Sequence, residues 1–162
     1  MPEIEKPAHA AHETPFDETL EEHREIRRNV QELKDLLSEY RVGMEPGVWR
    51  AWNAGFSGKL LGLHERLLGH FRGEEKSGLY EALDERLPKI AHRTQAVRAE
   101  HQEILGELSG IVESLAVLQS TFPMEPKVLD RAREVLLQIV RHEQKESDLI
   151  ARAYLEDLGK LD

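Results

Sequence analysis

The 162-residue chain has no cysteine, no long apolar run and no cluster of basic residues. Without cysteine there is no disulfide, no thiolate metal ligand and no cysteine nucleophile, so any metal site must use nitrogen and oxygen donors. No apolar stretch has the length of a signal-peptide core or a membrane span, which predicts a cytoplasmic protein with no membrane partner. A net charge of −9 without clustered Lys and Arg argues against a nucleic-acid partner.

Composition and length favour a single helical domain. Apolar residues make up 40% of the chain and charged residues 33%, a balance typical of folded globular proteins and too apolar for general disorder. The chain is also long enough to bury one hydrophobic core. Residues 1–13 are rich in proline, alanine and glutamate and lack an apolar period, which predicts a flexible N-terminal arm. The predicted folded domain is residues 14–162.

Four segments repeat apolar residues at intervals of three and four, the period of an amphipathic helix. Their inward positions are Phe16, Leu20, Val30, Leu33, Leu37 and Tyr40; Phe56, Leu60, Leu63 and Leu67; Val97, Ile104, Leu108, Ile111, Leu115 and Leu118; and Val128, Ala132, Val135, Ile139, Leu149 and Ala153. Thr14 suits the N-cap of the first helix and Pro15 its first turn. The others begin near Trp49, at Ile90 or Thr94, and at Pro126. Short connections predict an all-α, left-handed bundle of four antiparallel helices.

Each segment replaces an apolar residue on its inward face with histidine or with a histidine–glutamate pair. These residues, which we call the polar layer, are His23, His70, Glu74, His101, His142 and Glu146. In the two pairs the residues are four apart, so they lie one above the other on a helix. Measured from the far end of each segment, the four histidines lie about 24 to 32 Å along the helix, at about 1.5 Å per residue. The spacing therefore predicts that all four meet at one level of the bundle.

Position gives the polar layer more weight than motif does. With 24 glutamates and eight histidines in the chain, about one histidine should have Glu four residues later by chance. A buried hydrogen-bonded network of neutral histidines and glutamic acids is the alternative to a metal site. Every group in such a network needs a partner or a shifted pKa, because the inward faces carry no Lys or Arg. Two divalent cations would satisfy imidazoles and carboxylates together, and we interpret the polar layer as their ligands.

The ligand types indicate which metal to expect. Imidazole and carboxylate without thiolate suit iron, manganese or zinc, and four histidines with two glutamates leave coordination positions open on a metal pair. Iron is the preferred prediction, with zinc or manganese as substitutes. A ferritin-like site would show Glu-x-x-His on two helices. No histidine in this chain has a glutamate three residues before it, which argues against that architecture.

The polar layer and the stretch Gly-His-Phe-Arg-Gly-Glu-Glu at residues 69–75 resemble the haemerythrin-like, or HHE cation-binding, domains. The likeness covers about residues 16 to 150, in the order and approximate spacing of that family. It implies an up-down-up-down bundle around a non-haem di-iron centre. It further implies that Glu74 and Glu146 are bridging carboxylates and that the four histidines are terminal ligands.

Two departures place the chain closer to the symmetric bacterial and regulatory members of that family. Oxygen-carrying haemerythrins have a fifth histidine one turn from the one on the third helix, and here both candidate positions, Val97 and Leu105, are apolar. Their last carboxylate is an aspartate five residues after its histidine, whereas Glu146 follows after four. The missing imidazole leaves a position that Glu143, Glu75 or solvent could fill.

The function predicted from the sequence is binding of a small diatomic ligand, O₂ or NO, at an open iron position, as a sensor, scavenger or store. An oxidoreductase acting on peroxide or NO at the same centre is the first alternative. A structural bundle with an empty or zinc-filled site is the second. The expected oligomeric state is a monomer or homodimer, and the sequence points to no particular redox partner.

Overall fold

The computed structural model describes residues 14–118 and 126–160 and is all-α, as predicted. Its helices are α1 Pro15–Glu39, α2 Pro46–Ser77, α3 Leu79–Arg86, α4 Ala91–Leu118 and α5 Pro126–Gly159, with a 3-10 turn at Pro88–Ile90. The described residues contain no β-strand, and none of their helices is long and apolar enough to cross a bilayer. The predicted arm, residues 1–13, lies outside the described residues, as does the connection between α4 and α5.

The start of α1 agrees with the sequence. Thr14 is the N-cap and Pro15 is the first helical residue. The Thr14 hydroxyl accepts a hydrogen bond from the Asp17 amide at 3.3 Å, while the Asp17 carboxylate accepts one from the Thr14 amide at 3.2 Å. This reciprocal pair is a capping box, an arrangement that contributes about 1 kcal/mol to a helix.

The second predicted helix is in fact two helices. It begins at Pro46, one turn earlier than Trp49, and α2 runs without a break through Gly73 to Ser77. Gly78 then adopts a left-handed conformation, with φ of 80°, and α3 starts at the next residue. Only glycine takes this conformation readily, so Gly78 ends α2 and turns the chain. The apolar pattern of the sequence predicted four helices and did not reveal α3 as a separate element.

The core consists of two apolar clusters. The larger one joins α1, α2, α4 and α5 and includes Leu33, Leu63, Leu108 and Val135. The smaller one, which includes Leu79 and Leu83, joins α3 to the ends of α1, α4 and α5. Helix α1 packs against α2 and α5, and α4 packs against α2 and α5. The inward positions predicted for the four long helices are buried, except that Leu20 and Tyr40 are half-buried and that the Leu118 side chain is outside the description.

The larger cluster ends in an aromatic group at the start of α2. Trp49 and Trp52 are both buried, and Trp52 stacks on Phe56 with ring centroids 5.1 Å apart. The Trp52 indole donates a hydrogen bond to the Leu36 carbonyl at 2.8 Å, which ties the start of α2 to the end of α1. At the opposite end of the larger cluster lies the polar layer.

Replacing Gly78 by alanine should destabilise the protein. Its positive φ disfavours any Cβ, at about 1 kcal/mol, although the added atom would meet nothing within 4 Å. Gly62→Ala is the matched control, because this glycine is inside α2 and its Cβ would also meet open space. Gly62→Ala should stabilise by about 0.5 to 1 kcal/mol. Denaturant unfolding of both variants measures the difference, and a Gly78→Ala protein as stable as Gly62→Ala would contradict the role given to Gly78.

Candidate metal centre

The structure brings all six side chains of the polar layer together from four helices. None is more than 4% exposed, and α1, α2, α4 and α5 each contribute at least one of them. Within the described residues they form two groups whose nitrogen and oxygen atoms lie within 4.8 Å of one another. The first group is His23, His70, Glu74 and Glu146, and the second is His101, His142 and Glu146.

Glu74 faces both groups with different oxygen atoms. Its Oε1 lies 3.1 Å from His70 Nε2 and 3.8 Å from His23 Nε2. Its Oε2 lies 3.4 Å from His101 Nε2. The carboxylate therefore spans the space between the pair of histidines from α1 and α2 and the histidine from α4.

Glu146 spans the same space from α5. Its Oε2 lies 3.1 Å from His23 Nε2, while its Oε1 lies 3.3 Å from His142 Nε2 and 3.5 Å from His101 Nε2. Both glutamates thus direct one oxygen toward His23 or His70 and the other toward His101 or His142. A carboxylate oriented in this way can bridge two cations, one beside each pair of histidines.

The outer ring nitrogens of the histidines have partners of their own. His23 Nδ1 lies 3.2 Å from the Ser147 hydroxyl, and His142 Nδ1 lies 3.0 Å from the Glu100 carboxylate. His70 Nδ1 makes a short hydrogen bond with Glu22. An acceptor at Nδ1 holds the proton there and leaves the Nε2 lone pair, which faces the carboxylates, free for a metal.

His101 differs slightly from the other three histidines. Its Nδ1 is 3.5 Å from Glu75 Oε1, but the two groups are not aligned for a hydrogen bond. Glu75 is instead bound by Arg98. The His101 ring is held by Phe71, which stacks on it with centroids 4.0 Å apart and planes 9° apart.

Several buried atoms of the polar layer lack a hydrogen bond. They are His70 Nε2, His142 Nε2 and both carboxylate oxygens of Glu74. His70 Nε2 and Glu74 Oε1 are 3.1 Å apart, yet they are not oriented for a hydrogen bond. A buried polar atom without a partner costs about 1 to 3 kcal/mol, so a network of hydrogen bonds alone does not account for this arrangement. A cation would satisfy these atoms, and the buried histidines and glutamates could hold a metal ion.

Without a metal, the polar layer is held by imidazolium–carboxylate pairs. Burial disfavours protonated His70, but the negative charge of Glu74 at 3.1 Å and the hydrogen bond to Glu22 raise its pKa from 6.5 to about 9. For His101, burial is likewise outweighed by Glu146 and Glu74, and the pKa rises to about 9. Burial would raise the pKa of Glu74, but the three histidines close to its carboxylate, His101, His23 and His70, hold it at about 2.

Tyr80 is the residue of this site that the sequence interpretation missed. It lies on α3 and is fully buried. Its hydroxyl is 2.8 Å from His101 Nε2 and donates a short hydrogen bond to Glu146 Oε1. Periodicity did not reveal it, because none of the four predicted helical segments included α3.

The outer partners Glu22 and Glu100 were also missed, although the sequence does carry a signal for them. Glu22 directly precedes His23 and binds His70, and Glu100 directly precedes His101 and binds His142. Each half of the chain thus has a single histidine followed later by a His-x-x-x-Glu pair, with a glutamate directly before the single histidine. The repeat of a lone histidine followed by His-x-x-x-Glu therefore includes the glutamate before the lone histidine.

The residues that the sequence analysis considered in place of a fifth histidine lie in different environments. Val97 is buried in the smaller apolar cluster and Leu105 is half-buried. Glu75 faces the outer nitrogen of His101 and not the inner one. Glu143 is fully buried, with Oε2 3.4 Å from Arg27 and Oε1 without a hydrogen bond. Burial raises its pKa to about 7, against the opposing charges of His23 and Arg27.

The metal-free protein should lose stability as the pH rises from neutral to alkaline. The folded-state pKa values of His70 and His101, about 9, exceed the ordinary value of 6.5. Their stabilisation is therefore complete below pH 6.5 and is lost as the pH rises through 9, on the order of a few kcal/mol. Denaturant unfolding in the presence of a chelator measures the free energy of unfolding at each pH. Zinc-loaded protein should show no such loss between pH 7 and 9. A free energy of unfolding that does not change with pH in metal-free protein would contradict the ion pairs.

Removing the charge of Glu100 should weaken metal binding. Glu100→Gln keeps the shape of the side chain but offers His142 Nδ1 a poorer acceptor, and such outer partners are worth about 10- to 100-fold in metal affinity. Glu103→Gln, an exposed position on the same helix, is the matched control. Competition titration against a chelator of known affinity measures both variants. Equal affinities would show that the Glu100 contact does not support the site.

The chain matches no protein-family model, no curated protein and no solved structure. The resemblance to haemerythrin-like domains therefore stays a prediction made from the sequence. Three features of the chain favour a metal centre: the buried histidines and glutamates, the glutamate carboxylates whose two oxygens face different histidines, and the buried atoms that lack a hydrogen bond.

Proposed function

We propose that the polar layer holds two metal ions, with His23 and His70 on one and His101 and His142 on the other. The observation that carries this proposal is the orientation of the Glu74 and Glu146 carboxylates. Each directs one oxygen toward a histidine of the first pair and its other oxygen toward a histidine of the second pair. The unpartnered Nε2 and carboxylate atoms support it as well. Both glutamates would act as bridging ligands.

We further propose that the four long helices form a left-handed, up-down-up-down bundle of the haemerythrin-like type. The support is the location of the polar layer, which lies toward the starts of α1 and α4, toward the end of α2 and at the middle of α5. The Trp52 hydrogen bond to Leu36, which joins the end of α1 to the start of α2, is in line with antiparallel neighbours. Left-handed supercoiling is the usual geometry of such bundles.

Iron is the metal that we assign to both positions. The donor set contains imidazole nitrogens and carboxylate oxygens, which suit iron, manganese and zinc. The chain has no cysteine to favour a softer metal. Two histidines and two shared carboxylates at each position leave room for an exogenous ligand.

The proposed activity is binding of O₂ or NO, as a sensor, scavenger or store. Iron would supply the electrons for this binding at an open coordination position. The chain itself supplies a dry surrounding, because Leu67 and Ile139 are fully buried and Val97 is only 5% exposed. His70 and His23 each line a surface hollow, and we propose these hollows as the points of entry for a small molecule.

An oxidoreductase acting on peroxide or NO is the second candidate for the same centre. The observation in its favour is the small number of imidazoles, since neither Val97 nor Leu105 supplies a fifth one and more positions stay open to a reactant. In that case turnover would replace reversible binding. A bundle with an empty or zinc-filled site is the remaining alternative, which metal analysis separates from the other two.

Protein loaded with iron(II) without air should retain two iron ions per chain. On exposure to air it should develop a visible absorption band that fades when oxygen is removed. Glu146→Gln removes the charge that both histidine pairs share, so it should weaken retention of iron by at least about tenfold. Elemental analysis after gel filtration measures retention, and absorption spectroscopy measures the band.

His64→Ala is the control for this experiment. His64 is half-buried on α2 and bound to Ser109 at 3.0 Å, outside both groups of the polar layer. This variant should retain iron and show the same band. Failure of the wild-type protein to retain iron would exclude a di-iron centre, and zinc in protein purified without added metal would favour the structural alternative. Steady consumption of peroxide or NO without a reversible band would favour the oxidoreductase.

A further inference from the structure

The two groups of the polar layer are unequal in their histidine and carboxylate donors. Among the described residues, the first unites two histidines and two glutamates whose ligand atoms all lie within 4.8 Å of one another, while the second unites His101, His142 and Glu146. Glu74 Oε2 lies 3.4 Å from His101 Nε2 but does not complete that second group. Apart from the polar layer itself, one buried side chain donates a hydrogen bond to Glu146 on the side of the second group, and that side chain is Tyr80.

Tyr80 reaches this place because of the turn at Gly78. The left-handed glycine ends α2 four residues after Glu74 and sends α3 across the ends of α4 and α5. Tyr80 is the second residue of α3 and belongs to the smaller apolar cluster together with Leu79 and Leu83, and Arg98 faces its ring at 5.3 Å. The helix thus inserts a phenol into the polar layer from outside the four long helices.

The distances around the Tyr80 hydroxyl fit neighbouring ligands of one ion. His nitrogens and carboxylate oxygens bind metals at about 2.1 Å, so two ligands at right angles lie about 3 Å apart. The hydroxyl is 2.8 Å from His101 Nε2 and in short contact with Glu146 Oε1. Glu146 Oε1 in turn lies 3.3 Å from His142 Nε2. The separations of 2.8 Å and 3.3 Å are those of neighbouring ligands on one ion, and the Tyr80 and Glu146 oxygens are closer still.

We propose that Tyr80 is a ligand of the metal ion held by His101 and His142, bound as phenolate through its oxygen. This inference rests on the proposed metal centre and names a ligand beyond the six residues of the polar layer. Binding the ion replaces the phenolic proton, which leaves to solvent, so that the oxygen bonds the metal in place of its hydrogen bond to Glu146. Tyr80 would then fill, with an oxygen donor, the position for which the sequence supplies no fifth histidine at Val97 or Leu105.

A phenolate changes the properties of the metal to which it is bound. It is an anionic oxygen ligand, and negative charge favours iron(III) over iron(II). The reduction potential of that iron should therefore be lower in the wild-type protein than in a variant without the phenol. Because Tyr80 lies in an apolar cluster, solvent does not compete with it for the metal.

Ultraviolet difference spectroscopy during metal titration tests the proposal. Zinc, which has no visible transitions of its own, should produce the spectrum of one tyrosinate in the wild-type protein, with release of its proton. Iron(III) should add a phenolate-to-metal charge-transfer band in the visible range. Tyr80→Phe removes the hydroxyl and keeps the ring, and it should abolish both signals while elemental analysis still finds bound metal. The iron of this variant should also have a higher reduction potential.

Tyr154→Phe is the matched control. The Tyr154 hydroxyl is bound to Asp17 at 2.8 Å near the end of the bundle, away from the polar layer, so its loss should leave both signals unchanged. If the wild-type protein binds metal but Tyr80→Phe gives the same spectra, Tyr80 only donates a hydrogen bond and the ligand assignment is overturned, while the metal centre stands. If neither zinc nor iron binds to the wild-type protein, the metal centre and the assignment both fail. Circular dichroism confirms that each variant is folded.

Discussion

The structure depends on how six ionisable side chains are accommodated at one level of a helical core. Each buried charge costs several kcal/mol unless it is paired, and the polar layer lies between two apolar clusters that exclude water. In the absence of metal the compensation comes from imidazolium–carboxylate pairs, which raise the pKa of His70 and lower that of Glu74. Those pairs still leave inward-facing atoms of Glu74, His70 and His142 without hydrogen bonds. Cations satisfy the same atoms more completely, which is why the arrangement suits a metal centre.

The contacts that hold the histidines of the polar layer from outside repeat approximately between the two halves of the chain. Glu22 binds His70 in the first half, as Glu100 binds His142 in the second. The residue after each paired glutamate faces the lone histidine of the opposite half, which makes Glu75 a neighbour of His101 and Ser147 a neighbour of His23. The halves differ in the residue that follows the paired histidine, which is Phe71 after His70 and the buried Glu143 after His142.

The short helix α3 breaks this symmetry most clearly. A single left-handed residue, Gly78, redirects the chain so that an otherwise local segment covers one end of the core and delivers a phenol to the polar layer. Tyr80 thereby joins the apolar cluster formed with the ends of α1, α4 and α5 to the hydrogen bonds of His101 and Glu146. The packing of α3 on the long helices and the composition of the candidate centre are thus linked through one residue.

The sequence by itself determined the all-α class, the buried faces of the long helices and the six residues of the polar layer, because helical periodicity is local and can be read along the chain. Even the cap at Thr14 follows from neighbouring residues. Tertiary structure alone decided which oxygen of Glu74 and Glu146 faces which histidine, and that Tyr80 joins them. Those contacts depend on how the helices are rotated and on the direction in which Gly78 sends α3. Such choices are made by packing between residues far apart in the chain, and no local pattern records them.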